Sequence, residues 1–345
     1  MSEKMKPELS PAFQTAVPDE AVSIPLPGQT TQRRIGFMLL PNFTLLPFAN
    51  ALDALRMANR LSALSLYQWQ LLSLDGAAVR SSCALSLTPD LRLADAVDLD
   101  LLLVCGGEYI QHYCDKALIS ALRRYGQGKA PLGALCTGAY VLARAGLLNG
   151  YRCTIHWENL ASFREEFPEA IVSQELFEID RDRYTCAGGS ASLDLVLTLV
   201  QRDYGIELAS AISEEFLCER IRGRHDRQRI PLKHTLGTSQ PKLMDVVALM
   251  EANLEEPMSL DELSNAVSLS RRQLERLFQK HLHCVPTRYY LELRLFKARQ
   301  LLLQTPMSVV DVAIASGFVS APHFSKCYRD FFGKPPRDER RRAHL

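Results

Sequence analysis

The tripeptide Pro257-Met258-Ser259 returns as Pro306-Met307-Ser308, 49 residues later, and the residues that follow each copy also correspond. Leu260-Asp261-Glu262-Leu263, Ser268-Leu269-Ser270, Leu274 and Phe278 follow the first copy. Val309-Val310-Asp311-Val312, Gly317-Phe318, Ser320, Phe324 and Tyr328 follow the second, with one extra turn residue, Val319. A period of this length marks one supersecondary unit used twice. Each copy reads as a helix, a turn of three or four residues and a second helix, the pattern of a helix-turn-helix. Between the copies, 286–303 reads as one long helix carrying Arg288, Arg294, Lys297 and Arg299. About 18 helical residues span ~27 Å, so two units on one face of it would present their second helices about one DNA turn apart.

In the first copy Ser270 is a good N-cap. Arg271, Arg272, Gln273, Arg276 and Lys280 then fall opposite the apolar anchors Leu274, Leu277 and Phe278. Arg and Gln at a helix start suit major-groove reading, because both can bond base edges bidentately. In the second copy Ser320 is the cap, followed by Ala321, Pro322, His323, Ser325 and Lys326. Proline is tolerated there because first-turn amides have no intrahelical partner. Cationic helix faces are often no more than solvated surface. The duplication, the caps and the basic run Arg340-Arg341-Arg342 favour DNA binding. The second copy offers fewer reading side chains, so it is expected to position the protein or to meet RNA polymerase.

Upstream the texture differs. Residues 1–31 hold five prolines and little apolar periodicity, and read as a flexible tail. Ile35-Gly36-Phe37-Met38-Leu39-Leu40 is a continuous apolar run, as in a strand buried on both faces. Further strands are expected at 68–74, 101–105, 131–135 and 152–155, with helices at 48–62, 115–126, 138–146, 187–204 and 206–222. Alternating elements of this length imply a doubly wound, parallel α/β sheet, flavodoxin-like in plan. The domains expected are thus a tail at 1–31, an α/β domain at 32–222, a basic linker at 223–240 with Arg224, Arg227, Arg229 and Lys233, and an all-α domain at 241–345 with two helix-turn-helix units.

The whole chain carries a net charge of +1, yet 241–345 holds 16 Lys/Arg against 12 Asp/Glu, so the basic charge sits with the helical repeat. Nine cysteines without a C-x-x-C pair fit free thiols in a reducing cytoplasm, and no structural metal or cofactor is expected. No apolar run reaches the roughly 18 residues of a membrane span, and no membrane partner is expected.

Three stretches of the α/β domain carry chemistry. Gly133-Ala134-Leu135-Cys136-Thr137-Gly138 turns sharply from a buried strand into a helix, the geometry that exposes a nucleophile. Cys105-Gly106-Gly107-Glu108 ends another strand and offers backbone amides to the same crevice. His156-Trp157-Glu158 follows the next. A Cys and a His on neighbouring strand ends suggest a thiol with its base. Equally, Cys136, Thr137, Gly107, Glu108, His156, Trp157 and Glu158 can be read as a ligand pocket, the Trp157 ring facing a methylammonium group and Glu158 an amine. Each also has a plainer reading: His156 as a satisfied structural histidine, Trp157 as packing, Glu158 as a helix cap.

Residues 240–342 resemble the DNA-binding domain of the AraC/XylS family of transcriptional regulators. The motifs that carry this are Ser259-Leu260-Asp261-Glu262-Leu263, Ser270-Arg271-Arg272-Gln273-Leu274-Glu275-Arg276-Leu277-Phe278, Asp311-Val312-Ala313, Gly317-Phe318, His323-Phe324-Ser325-Lys326 and Phe332-Gly333-Lys334-Pro335, with the 294–303 helix. Two departures are Ser268, where the family often has Gly, at a cost of up to about 1 kcal/mol, and Ser264, where Ala is usual. Residues 34–205 resemble the DJ-1/PfpI branch of the class I glutamine amidotransferase-like fold, in the form fused to AraC-type domains, the GlxA-like regulators. Cys136 falls on that family's elbow cysteine and Gly107 on its oxyanion-side glycine. Thr137 stands where the protease-like members carry His, and Asn42-Phe43-Thr44-Leu45-Leu46-Pro47 lacks their carboxylate, so catalysis loses its usual support. The resemblance implies a non-enzymatic, homodimeric activator that senses a small-molecule effector and binds promoter DNA. It also implies effectors from amino-acid or quaternary-amine catabolism, such as arginine, glycine betaine or carnitine. The competing expectation is a cysteine-dependent hydrolase or glyoxalase-like enzyme with an appended DNA-binding domain.

Overall fold

The computed structural model describes residue 24 and residues 31–128, 131–218, 220–223, 226, 228 and 240–342, with Arg340, Arg341 and Arg342 described in backbone alone. Most of the expected tail, most of the basic linker (Arg224, Arg227, Arg229 and Lys233 included) and the side chains of Arg340, Arg341 and Arg342 lie outside the described residues. Of the tail, the Ile24 N–H donates to the Leu61 carbonyl and the Thr31 carbonyl accepts from the Tyr204 hydroxyl.

The first half forms β1 (Arg33–Leu39), α1 (Leu45–Ser62), β2 (Tyr67–Ser73), β3 (Val79–Arg80), β4 (Ser86–Leu87), β5 (Leu91–Arg92), β6 (Leu101–Cys105), α2 (Lys116–Gly126), β7 (Leu132–Leu135) and α3 (Gly138–Arg144). It continues with β8 (Arg152–Cys153), α4 (Leu160–Glu166), β9 (Ile171–Val172), β10 (Phe177–Asp180), β11 (Arg183–Cys186), α5 (Ala191–Tyr204) and α6 (Ile206–Glu215). Seven strands make one sheet in the order β10-β11-β7-β6-β1-β2-β5, parallel except for β10. The unbroken apolar run of β1 serves both faces. Ile35, Phe37 and Leu39 pack with α1, α5 and α6, whereas Met38 and Leu40 pack with α2, α3 and Phe163 of α4. Strand order reverses between β1 and β6, the place where sheets of this kind leave a crevice at their carboxyl ends.

The sequence reading needs three corrections here. The strand expected at 152–155 is only β8, which pairs with β9 outside the main sheet; the place beside β7 belongs to β11. The helix expected from 187 starts at Ala191, because Gly188 and Gly189 adopt φ of +89° and +57°. The helix expected through 222 stops at Glu215, and Leu217 just beyond it has φ +55°.

The second half is helical: α7 (Pro241–Ala252), α8 (Leu260–Ala266), α9 (Arg271–Leu282), α10 (Pro286–Gln304), α11 (Val309–Ala315), α12 (Ala321–Phe332) and α13 (Pro336–Arg342). The duplication survives at every level. Ser259 and Ser308 each cap their helix in a reciprocal capping box, with Glu262 and Asp311 respectively. Leu274 and Phe278 in α9 are fully buried, as are Phe324 and Tyr328 in α12. Each unit keeps its own core, one around Leu263, Leu274 and Phe278 with α7, the other around Val312, Phe318, Phe324 and Tyr328 with the second half of α10. Helix α10 runs through both.

Candidate functional site

The elbow forms as its glycines require. Cys136 has φ +58° between β7 and α3. Gly138 packs so tightly on β6 that a Cβ there would fall 2.1 Å from the Val104 carbonyl oxygen. The strand ends around it are closed by hydrogen bonds. Thr137 Oγ1 donates to the Gly107 carbonyl at 2.6 Å, the Thr44 amide donates to the Gly106 carbonyl at 3.1 Å, and Asn42 Nδ2 donates to the Glu108 carbonyl at 3.2 Å. A Cβ on Gly107 would meet the Asn42 carbonyl oxygen at 2.0 Å. Gly107 and Thr137 therefore serve close backbone packing, and the Glu108 side chain points to solvent.

Cys136 is 7% exposed, and Gly188 lies across it: a Cβ on Gly188 would come 2.9 Å from the sulfur. Burial pushes its pKa up to about 11, against smaller downward effects of hydrogen bonds with Thr137 and Thr44. At neutral pH it is a covered, protonated thiol, whereas the nucleophile is the thiolate.

The open space lies one step away, at the carboxyl end of β11. A cavity of about 150 Å³ is walled by His156, Trp157, Leu176, the Ala187-Gly188-Gly189-Ser190-Ala191 turn into α5, Arg222 and Gln228. Two of the seven residues expected from sequence, His156 and Trp157, meet there, their rings 5.6 Å apart. Burial holds the His156 pKa below its ordinary value, opposed in part by Glu158, so the imidazole is neutral at pH 7. Glu158 is more than half exposed, its carboxylate 3.8 Å from His156 Nδ1.

Arg222 and Gln228 had no motif to announce them. Both follow α6 in the stretch that leads to the helical half. Arg222 is fixed by the buried Asp194 of α5: its backbone N–H donates to Oδ1 at 2.9 Å, and its guanidinium donates to Oδ2 at 2.6 and 3.0 Å. It also reaches Ser190 Oγ at 2.8 Å. Gln228 Nε2 donates to Thr154 Oγ1 and to the carbonyls of Ile155 and Glu175 at 2.8–3.0 Å. Its Oε1 is buried and has no partner among the described residues.

The second candidate surface is the outer face of α9 and α12. Arg271, Arg272, Gln273, Arg276 and Lys280 are exposed, with Ser270 capping α9. The Gln273 carboxamide oxygen completes that cap, accepting from Ser270 N at 2.8 Å and from Ser270 Oγ at 3.0 Å, and Arg271 pairs with Glu275 at 3.4 Å. The Gln273 carboxamide is thus engaged at the helix start, while the Arg272 and Arg276 side chains are exposed on that face. On α12, His323 and Lys326 are exposed, Ala321 and Ser325 half-buried, and Ser320 accepts from the His323 amide. The basic residues of α10 point elsewhere. Arg294 donates to the Ser316 and Gly317 carbonyls at 3.0 and 2.6 Å with its guanidinium over the Phe318 ring, and Arg299 pairs at 2.9 Å with the buried Glu339.

An α/β domain with a covered cysteine elbow beside a polar cavity, joined to paired helix-turn-helix units, defines a two-part protein of the DNA-binding regulator class. Comparison with known proteins agrees. Residues 33–202 match the model of the DJ-1/PfpI family, and residues 263–342 match a helix-turn-helix domain. The chain is 56% identical over 318 residues to the HTH-type transcriptional regulator GbdR of Pseudomonas aeruginosa, covering 91% of this chain and 87% of that one. It is 34% identical to the HTH-type transcriptional regulator GlxA of Rhizobium meliloti, covering 90% of this chain and 96% of the other. A ThiJ/PfpI family protein from Pseudomonas syringae shares the fold over 71% of this chain and 93% of its own, at 20% identity and a TM-score of 0.51. The chain belongs to the GlxA-like, AraC-type transcriptional regulators, in which a DJ-1/PfpI domain precedes the DNA-binding domain. No helix of the described residues is long and apolar enough to cross a membrane.

Proposed function

We propose that the chain is a promoter-binding transcriptional activator, working in the cytoplasm as a homodimer, whose output is set by a small zwitterionic metabolite in the cavity beside His156 and Trp157. The observation that carries this reading is the cavity's make-up: an aromatic face, a neutral imidazole, the glycine-rich start of α5, a fixed guanidinium and an unsatisfied amide oxygen around one space. The start of α5 and Arg222 suit a carboxylate. The Trp157 ring suits a methylated ammonium, and Gln228 Oε1 suits an N–H or a bridging water. Arginine, glycine betaine and carnitine are the effector types to try first. DNA is held by α9 and α12, with α9 reading more of the sequence and α12 positioning the protein or meeting RNA polymerase.

The cysteine-enzyme reading is disfavoured by the buried, protonated thiol and by the Gly188 backbone across it. Thermal-shift screening of the purified protein against amino acids and methylated amines tests the proposal. A true effector at 100 times its dissociation constant adds about 2.7 kcal/mol. Cys136→Ser should leave regulation intact. Turnover of a screened compound that depends on this thiol would instead establish the enzyme.

A further inference from the structure

The wall of the cavity does not end at the cavity. His156 and Trp157 open a single-turn 3₁₀ helix, Trp157–Asn159, that runs directly into α4. This short rigid piece has its first residues in the cavity wall and its middle against the DNA-binding half. Ala161 packs on the core of the second helix-turn-helix unit, and the buried Ser162 donates its hydroxyl to Gln304 Oε1, at the end of α10, at 2.7 Å. Next to it Lys297 of α10 is partly desolvated and lies within electrostatic reach of Glu165 and Arg164 of α4 and of Glu255. Helix α10 is also the scaffold on which the two reading helices are mounted. One element therefore touches both the cavity and the part that fixes how α9 and α12 stand to each other.

The contact is built to be remade. The Ser162 hydroxyl carries one hydrogen but has two acceptors in reach, Gln304 Oε1 at 2.7 Å and the Asn159 carbonyl at 3.0 Å within its own helix turn. Undocking can hand that hydrogen from one acceptor to the other, so no buried donor is orphaned. Around it, Ala161 supplies an apolar touch and Lys297, Glu255, Glu165 and Arg164 supply charges.

We propose that residues 156–166 are the transmitting element: an effector seated on His156 and Trp157 changes the docking of α4 on α10, and with it the presentation of the two reading helices to DNA. This rests on the cavity being the effector site. A ligand moves such an equilibrium only through its different affinity for the two arrangements, and residues 156 and 157 supply that difference.

The test uses the full chain, the arginine, glycine betaine and carnitine panel, and two readouts: the effector dissociation constant, and the ratio of promoter-DNA affinities with and without effector. Ala161→Glu should leave the effector dissociation constant within about twofold and bring the DNA-affinity ratio to about 1. Glu165→Lys should lower that ratio, and adding Lys297→Glu should restore it; this charge exchange is mild enough to serve if Ala161→Glu does not fold. The inference is overturned if the variants keep the wild-type ratio, if effector binding falls by more than about tenfold, or if the exchange restores nothing. A wild-type protein that binds no member of the panel would remove the effector reading itself, whereas binding with an unchanged response in the variants removes the transmitting role alone.

Discussion

Ser268 and Gly317 occupy the same place in two copies of one turn, and both hold a left-handed backbone, φ +53° and +76°. In each, the residue after them closes the same bond back to the preceding helix: Leu269 N–H to the Ser264 carbonyl, and Phe318 N–H to the Ala313 carbonyl, both at 2.9 Å. The surroundings differ. Ser268 is exposed, whereas a Cβ on Gly317 would come 2.5 Å from the Leu254 carbonyl oxygen and 2.7 Å from Pro257.

Ser268→Gly should therefore stabilise the helical half by up to about 1 kcal/mol, the relief of a side chain in the left-handed region. Gly317→Ala should destabilise it by more than that, since strain and a backbone clash add. Urea unfolding of the two variants measures both; equal effects would mean that only φ matters.

Variants of the exposed Arg272 and of Arg294, bonded to the second turn, test the proposed reading role apart from scaffolding. Arg272→Ala should cost about 1–3 kcal/mol of specific DNA affinity for a lost base contact. Arg294→Lys loses the forked bond to the second turn and should instead lower unfolding stability by about 1 kcal/mol. Binding measured against salt distinguishes them further, because a side chain that contacts phosphate contributes a slope of roughly 0.9 and Arg294 should contribute none.

Cys83 and Cys136 should differ sharply towards an alkylating reagent. Cys83 is exposed, and the Ser81 hydroxyl and the Leu85 backbone pull its pKa down. Cys136 is buried with its pKa pushed up to about 11. At pH 8, mass spectrometry should find Cys83 labelled first and Cys136 protected. The folded pKa of Cys136 lies above the unfolded value of 9.0, so its contribution to stability is complete below pH 9 and fades as pH rises through 11. Fast labelling of Cys136 at neutral pH would bring the nucleophile back.

His156 carries the opposite sign. Its folded pKa lies below the ordinary 6.5, so the stability it contributes is present above pH 6.5 and is lost as pH falls through its folded value. Effector affinity should be level between pH 7 and 8.5 and decline in mild acid, and His156→Gln should flatten that decline. Isothermal titration across this range decides it.

What could be read in advance followed periodicity and caps. The repeat at Pro257 and Pro306, the serine caps and the buried run of β1 are local signals, and each element formed close to its expected place. The hairpin β10–β11 was illegible because its strands are four residues long and bury charges: Glu178 and Arg183 are 1% and 7% exposed, paired with Arg152 and Asp182. Such charges break an apolar alternation. The elbow at Cys136 is legible from its glycines, but the closure of Gly107 on Asn42–Thr44 and of Thr137 on Gly107 depends on the approach of segments far apart in sequence. Arg222 falls at the end of the helix expected over 206–222 and Gln228 in the expected basic linker, and only the fold carries them to His156.

That placement bears on how a regulator of this kind can be taken apart. The DJ-1/PfpI match ends at residue 202, and a chimaera cut there would keep the sheet while discarding one side of the cavity, Arg222 and Gln228. It would also strip Asp194 of its partner and leave a buried carboxylate bare. With the cavity as the proposed effector site, the unit to transplant onto another output domain, or to exchange between relatives, is longer than the fold: its seam lies beyond residue 228.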